Sequence, residues 1–302
     1  MKQKVFLLAL AAVFVLLPMR ARGADADSLA FLRGPWQETF IDNGLMLQQC
    51  AVADGSLFGS NQFLSVLTVA PERECALVAA PAGTLALTSA LGREAGALAA
   101  VNGSFFHMKA PYGGSTFSRI DNVIVSENAP IENFRRDPQR SGAIVVREGR
   151  FSIATGFGPE RTFEETLSGE TILTAGPMLL LGGVRSDLHP FKFNSNRHPR
   201  TAFGIREDGT LVFLVADGRN AKAAGLTMTE LQQIMIWLGC VDAINLDGGG
   251  SSTMVVRSGR SAEVPSGRLV VVNHPCDNRR FDADGERPVA NAWVILPGGY
   301  TH

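Results

Sequence analysis

Two stretches of this chain combine residue types that can do chemistry at a spacing that brings them together. The first is Asp247-Gly248-Gly249-Gly250-Ser251-Ser252-Thr253, entered by the strand-like run 243–246 and left by the apolar run 254–256. A strand that ends on a carboxylate delivers it into three glycines and three hydroxyl residues. Consecutive glycines let backbone N–H groups converge on an anion, and the hydroxyls can donate as well. The Lys and the spacing of a Walker loop are missing, and so is the Gly-x-Ser-x-Gly order of a nucleophile elbow. As a plain turn the run would be oversized, since each glycine costs roughly 1 kcal/mol relative to alanine in regular structure. The expectation is an anion-binding loop carrying a catalytic carboxylate, Asp247, with Gly248, Gly249, Gly250, Ser251 and Ser252 as substrate donors.

The second stretch is a pair of strand-like runs, 201–206 and 210–216, separated by Glu207-Asp208-Gly209. Asp208-Gly209 suits a two-residue turn with positive φ at both positions. That register pairs Ile205 with Val212, Ala202 with Val215 and, at the open end, Arg200 with Asp217. An ordinary cross-strand ion pair is worth only roughly 0.2–1 kcal/mol. Asp217-Gly218-Arg219 adds a second cation beside a flexible glycine. Three charges where a buried strand runs out read as a ligand site, with Arg200 and Asp217 as a working pair.

These residues need a frame. Residues 44–52, 62–69 and 76–80 read as strands, 85–95 as a helix and 97–102 as a buried strand that ends on Asn102. Residues 143–147 and 150–153 form a hairpin about Glu148-Gly149, and 171–181 is strand-like around Gly176-Pro177. The 109–134 segment reads as a long loop region that serves a site. A helix over 228–238 starts at Thr227, where Glu230 completes a capping box. Leu231, Ile234, Met235 and Leu238 line its apolar face, and Gly239 ends it. Glu230 is therefore read as a cap and not as a catalytic carboxylate. The fold class expected is α+β: a single compact domain with a mixed or antiparallel β-sheet core flanked by a few helices. Residues 24–96 form a strand-rich lead-in and 97–302 the catalytic region.

With 45% hydrophobic and 19% charged residues, the 302-residue chain can bury a sizeable core. A net charge of −1 gives no electrostatic case for nucleic acid or an anionic membrane surface. Lys2 and Lys4 precede an apolar run of 13 residues, 5–17, and Ala21-Arg22-Gly23 offers small residues to a signal peptidase. Thirteen residues fall short of the ~20 that span a bilayer. Residues 1–23 thus predict a signal peptide, export to the periplasm or the extracellular space, and no stable membrane span once it is removed. In an oxidising compartment, Cys50, Cys75, Cys240 and Cys276 can pair, and the local pairing Cys50–Cys75 and Cys240–Cys276 is preferred over buried thiols. His107, His189, His198, His274 and His302 show no metal-ligand spacing. A metal-dependent phosphodiesterase is accordingly a minor alternative; no cofactor is expected, and a divalent cation is left open.

Seven motifs fall in order: 101–106 (VNGSFF), 175–180 (AGPMLL), 198–205 (HPRTAFGI), 217–219 (DGR), 225–227 (GLT), 245–253 (NLDGGGSST) and 286–291 (ERPVAN). From about 97 to 296 this series resembles the phosphodiester glycosidase family. The resemblance implies hydrolysis of a sugar-1-phosphodiester at the anomeric C–O bond, releasing free sugar and a phosphomonoester. The phosphate is a good leaving group, so cations matter more than a strong general acid. Arg200 and Arg219 would grip its oxygens in fork geometry. Asp247 or Asp217 would act at the anomeric carbon through an oxocarbenium-like transition state. Asn102, His198 and Arg287 would contact substrate. The rival reading is a non-catalytic envelope glycan-binding or polysaccharide-assembly protein of the same fold.

Overall fold

The computed structural model describes residues 25–129, 137–156, 162–258 and 267–298. The segment read as a signal peptide lies outside the described residues.

Three antiparallel sheets make the body of the molecule. The largest has eight strands, in the order Trp36–Asp42, Leu45–Leu57, Ser60–Val69, Leu211–Ala216, Arg200–Arg206, Cys240–Asn245, Met178–Leu181 and Val184–Arg185. The lead-in strands thus extend the sheet that carries both chemical stretches. A five-stranded sheet runs Arg150–Thr155, Gly142–Arg147, Thr171–Ala175, Ser118–Ile120 and Val123–Ser126. The other runs Leu269–Val271, Met254–Arg257, Ala99–Asn102, Asn291–Ile295 and Cys75–Ala79. Strand pairing is antiparallel throughout these sheets, so the mixed arrangement allowed above is not found.

The alternation of side chains explains the layers. In Leu211–Ala216, residues Leu211, Phe213 and Val215 enter a core built from all three sheets, where Phe203, Phe151 and Trp293 meet. Val212, Leu214 and Ala216 face the other way, onto Leu231, Ile234 and Met235 of the helix Met228–Trp237. Burial on both faces is why this strand reads as one continuous apolar run. The helix begins as expected: Glu230 N donates to Thr227 Oγ1 (3.2 Å) and Thr227 N to Glu230 Oε2 (2.8 Å). Leu238 caps its other end, and Gly239 follows at φ +80°. Glu230 also takes two hydrogen bonds from Arg197 Nε, which occupies it structurally.

Three expectations need correction. The first concerns the 200–216 hairpin. Its register pairs Arg200 with Ala216, Ala202 with Leu214 and Ile205 with Leu211. The connection is three residues, closed by Arg206 N to Thr210 O (2.9 Å) and Gly209 N to Arg206 O (3.0 Å), with Gly209 at φ +84°. A turn ending in one left-handed glycine needs one residue more than the two-residue turn. Because side chains alternate, that slip sends Arg200 and Asp217 to opposite faces of the sheet. Second, the 109–134 loop contains the short strands Gly113–Gly114, Ser118–Ile120 and Val123–Ser126.

Third, all four cysteines are free thiols. Cys50 and Cys75 lie in different sheets and in separate apolar clusters, and Cys240 is buried under the helix while Cys276 lies beside Arg219. Sequence proximity does not bring their side chains together, and neither preferred disulfide forms.

Candidate functional site

The strand Cys240–Asn245 occupies the interior of the eight-stranded sheet and runs straight into Asp247. Leu246 N still donates to Thr201 O (2.8 Å), and Asp247 N then turns to Gly103 O (3.1 Å). Asn102 locks this exit. Its Nδ2 donates to Asp247 O (2.8 Å) and Gly103 O (3.3 Å), while its Oδ1 accepts from Thr201 Oγ1 (2.9 Å) and Thr253 N (3.1 Å). With both amide protons and its oxygen engaged and the residue fully buried, Asn102 joins the sheets and has nothing left for a sugar hydroxyl.

The glycine run serves close approach more than amide donation. Gly248 N bonds to Asp247 Oδ1 (2.8 Å), Gly249 N to Pro199 O (2.9 Å), Ser251 N to Gly248 O (3.2 Å) and Ser252 N to Gly249 O (3.3 Å). The expected cradle of free N–H groups is therefore largely spent on the turn itself. A Cβ on Gly248 would stand 2.7 Å from Pro199 O, and one on Gly250 2.5 Å from Arg287 Nη2. Gly249 sits at φ +63°, with Arg219 Nη2 3.1 Å from where its Cβ would be. The missing side chains let two guanidinium groups lie against the loop. Ser251, Ser252 and Thr253 are buried, and their hydroxyls have no hydrogen-bond partner among the described residues. They pack beneath the loop and do not line its surface.

Asp247 itself is partly exposed. Burial pushes its carboxyl up to about 6. The Ser251 hydroxyl, near enough to favour the anion without hydrogen-bond geometry, the Gly248 N–H and the charges of Arg287 and Arg219 oppose that rise. Arg219 is exposed, in a left-handed conformation at φ +61°, with Nη2 3.5 Å from His198 Nδ1 and Nη1 3.9 Å from Cys276 Sγ. A non-glycine residue held there stores strain that functional sites tend to concentrate. His198 is disfavoured as a cation by burial first, then by Arg200 and Arg219. Arg287 is paired to Asp277 Oδ1 through Nε (3.0 Å) and Nη2.

Arg200 stands elsewhere. It is buried to 1% exposure, where Nε donates to Leu226 O (2.9 Å) and Nη2 to Phe193 O (2.5 Å) and Asn196 O (3.0 Å). Its guanidinium lies 4.9 Å from the Phe193 ring centroid, and burial brings its pKa down to about 10. It braces a loop behind the site and neither pairs with Asp217 nor reaches the surface. Asp217 is equally buried. It accepts from Asn273 Nδ2 (2.9 Å), from His274 N (3.0 Å) and, at 2.7 Å, bonds His274 Nδ1. His274 is stacked on Phe281 at 3.8 Å and meets Phe63 edge-on.

The structure therefore groups Asp247, Arg219, Arg287 and His198, while Asn102 and Arg200 adjoin them with their hydrogen-bonding groups engaged in structural contacts. Two residues go unread in the sequence: Asp277, which pairs with Arg287, and His274, which fixes Asp217. The one sequence signal for them is the polar run 273–277 directly after an apolar strand. Among the described residues, no three His, Cys, Asp or Glu side chains come together as a metal cage.

A family model described as phosphodiester glycosidase matches residues 95–296. The chain is 31% identical over 182 residues to mouse N-acetylglucosamine-1-phosphodiester alpha-N-acetylglucosaminidase, covering 57% of this chain and 34% of that one. It spans about a third of that relative's length. It is also 35% identical over 105 residues to an SPbeta prophage-derived uncharacterized protein of Bacillus subtilis, covering 32% of this chain and 16% of that one. The fold matches the catalytic domain of the zebrafish N-acetylglucosamine-1-phosphodiester alpha-N-acetylglucosaminidase, auto-inhibited by its pro-peptide in that structure. The TM-score is 0.62 at 17% identity, covering 87% of this chain and 84% of that one. A family match over most of the chain, with the matching fold beneath it, places this chain in the phosphodiester glycosidase family.

Proposed function

We propose that this protein is a hydrolase that cleaves the anomeric C–O bond of a sugar-1-phosphodiester. The observation that carries the reading is a half-buried carboxylate, Asp247, on a loop against which the guanidiniums of Arg219 and Arg287 lie. Two cations beside one carboxylate suit a substrate whose leaving group is an anion and whose reacting carbon develops positive charge. Arg219 and Arg287 hold the phosphate oxygens. The bond from the anomeric carbon to the phosphate oxygen breaks, and its electron pair leaves with the phosphomonoester. A water oxygen supplies the new bond to that carbon, and its proton passes to the protein. Asp247, ionised above about pH 6, supports the positive carbon or activates that water. In this reading Arg200 is a brace and not a phosphate ligand.

Turnover of an aryl α-N-acetylglucosamine-1-phosphodiester, with release of both free sugar and aryl phosphate, tests the reaction directly. Release of an alcohol and a sugar phosphate instead points to P–O cleavage and sinks the proposal. Repeating the assay with a chelator separates it from metal-dependent hydrolysis. Residues 1–23 support work outside the cytoplasm, and no helix among the described residues is long and apolar enough to cross a membrane. The mass of the mature chain is expected to place its N-terminus near Ala24; a retained leader overturns export by this route.

A further inference from the structure

We propose that the cleft on the far side of Arg287 from Asp247 holds the alcohol portion of the phosphodiester and selects an apolar one. This rests on the glycosidase reading and deepens it. The cleft has a volume of about 470 Å³, and Leu85, Phe106, Met108, Tyr112 and Pro288 give it an apolar wall. Met108 and Tyr112 are 62% and 43% exposed, apolar surface left in water beside Arg287.

Arg287 joins the cleft to the site. Its Nη2 lies against Gly250 of the carboxylate loop, its Nη1 is 3.9 Å from Met108 Sδ, and its charge is felt by Asp247. A phosphate held by Arg287 has two substituents. With the sugar carbon at Asp247, the other ester oxygen is directed past Arg287 toward Met108 and Tyr112. The groups that meet it are a thioether and aromatic and aliphatic surface, which reward apolar area and offer little to a polyol. The ionic pair Asp277–Arg287 forms the charged rim of the cleft.

Binding and turnover are measured side by side. Benzyl phosphate, which carries the leaving phosphate and an apolar alcohol, is expected to bind at least about tenfold more tightly than methyl phosphate. Benzyl and methyl sugar-1-phosphodiesters are expected to differ similarly in kcat/KM. A Met108→Ser, Tyr112→Ser double variant, altered only at exposed positions, should bring both ratios to within about twofold. Equal binding of the two phosphates by the wild type overturns the cleft assignment, and so does diester turnover with no benzyl preference. Preference for benzyl phosphate, lost in the variant, together with no turnover of either diester, keeps the cleft and removes the hydrolase reading.

Discussion

Asp247 is the residue on which stability and chemistry pull in opposite directions. In the folded chain it keeps its proton up to about pH 6, against about 4 in an unfolded chain. The native state therefore binds more protons between those values, and stability falls as pH rises through the window. Asp247→Asn is expected to raise the thermal midpoint relative to wild type at pH 8 and to leave it unchanged at pH 4, read by paired melts. The same variant should lose on the order of 10³ or more in kcat. Wild-type activity should climb with pH through about 6, as the carboxylate ionises. Near wild-type turnover by a folded Asp247→Asn variant moves the chemistry to another group. Arg200 makes the opposite case. Arg200→Met removes three guanidinium hydrogen bonds, to the carbonyl oxygens of Phe193, Asn196 and Leu226. That should cost about 3 kcal/mol or more in urea unfolding. The activity of the remaining folded protein is expected to change little. Sharp loss of kcat at unchanged stability would restore Arg200 to the site.

At the scale of elements, the 247–253 turn shows why glycines cluster there. Gly248 is pressed against Pro199 O, and Gly250 against Arg287 and Asp277. A methyl on Gly250 meets the far ends of two flexible side chains, so the backbone can stay while Arg287 moves. Gly250→Ala is expected to keep its melting midpoint within a few degrees and to lose roughly tenfold or more in kcat/KM. A displacement of about 1 Å in a positioning group is enough for that. Unfolding in step with the activity loss would mean that the turn, and not Arg287, was disturbed. The hairpin teaches a similar lesson about one residue. Its Glu207-Asp208-Gly209 connection accommodates either a two-residue or a three-residue closure, and the choice decides whether Arg200 and Asp217 share a face of the sheet.

The whole molecule places its thiols by burial. Burial raises Cys50 to about 11 and Cys240 to about 12 and pushes Cys75 up as well. Cys276 is partly exposed beside a guanidinium. Iodoacetamide should label Cys276 on the native protein and all four cysteines only after unfolding without reductant, counted by intact mass. Two sites that resist alkylation until reduced would show a disulfide the structure lacks. The three sheets share one core around Trp293, Phe203 and Phe151, drawn from residues 142 positions apart in sequence at the extremes of that trio. That packing brings the Ala99–Asn102 strand, the 247–253 turn and Arg287 to one end of the molecule.

How much of this was legible without coordinates follows from the range of each interaction. Local chemistry was readable: the Thr227–Glu230 capping box, the Glu148-Gly149 hairpin and the strand that ends on Asp247 depend on neighbours within a few residues. Asp247 and Arg219 were reached because strand-then-glycine and Asp-Gly-Arg patterns are local too, and Arg287 because it falls in a family motif. What tertiary structure alone decided was which polar groups are already taken. Asn102 and Asp217 look like free functional groups until Thr253, Asn273 and His274 arrive from up to 151 residues away to use their hydrogen-bonding capacity. Arg200 looks like a phosphate fork until a single extra turn residue puts it on the opposite face from Asp217, where three carbonyl oxygens take up its guanidinium. Periodicity carries no information about partners that distant, and side-chain alternation turns a register error of one residue into an error of a whole sheet face.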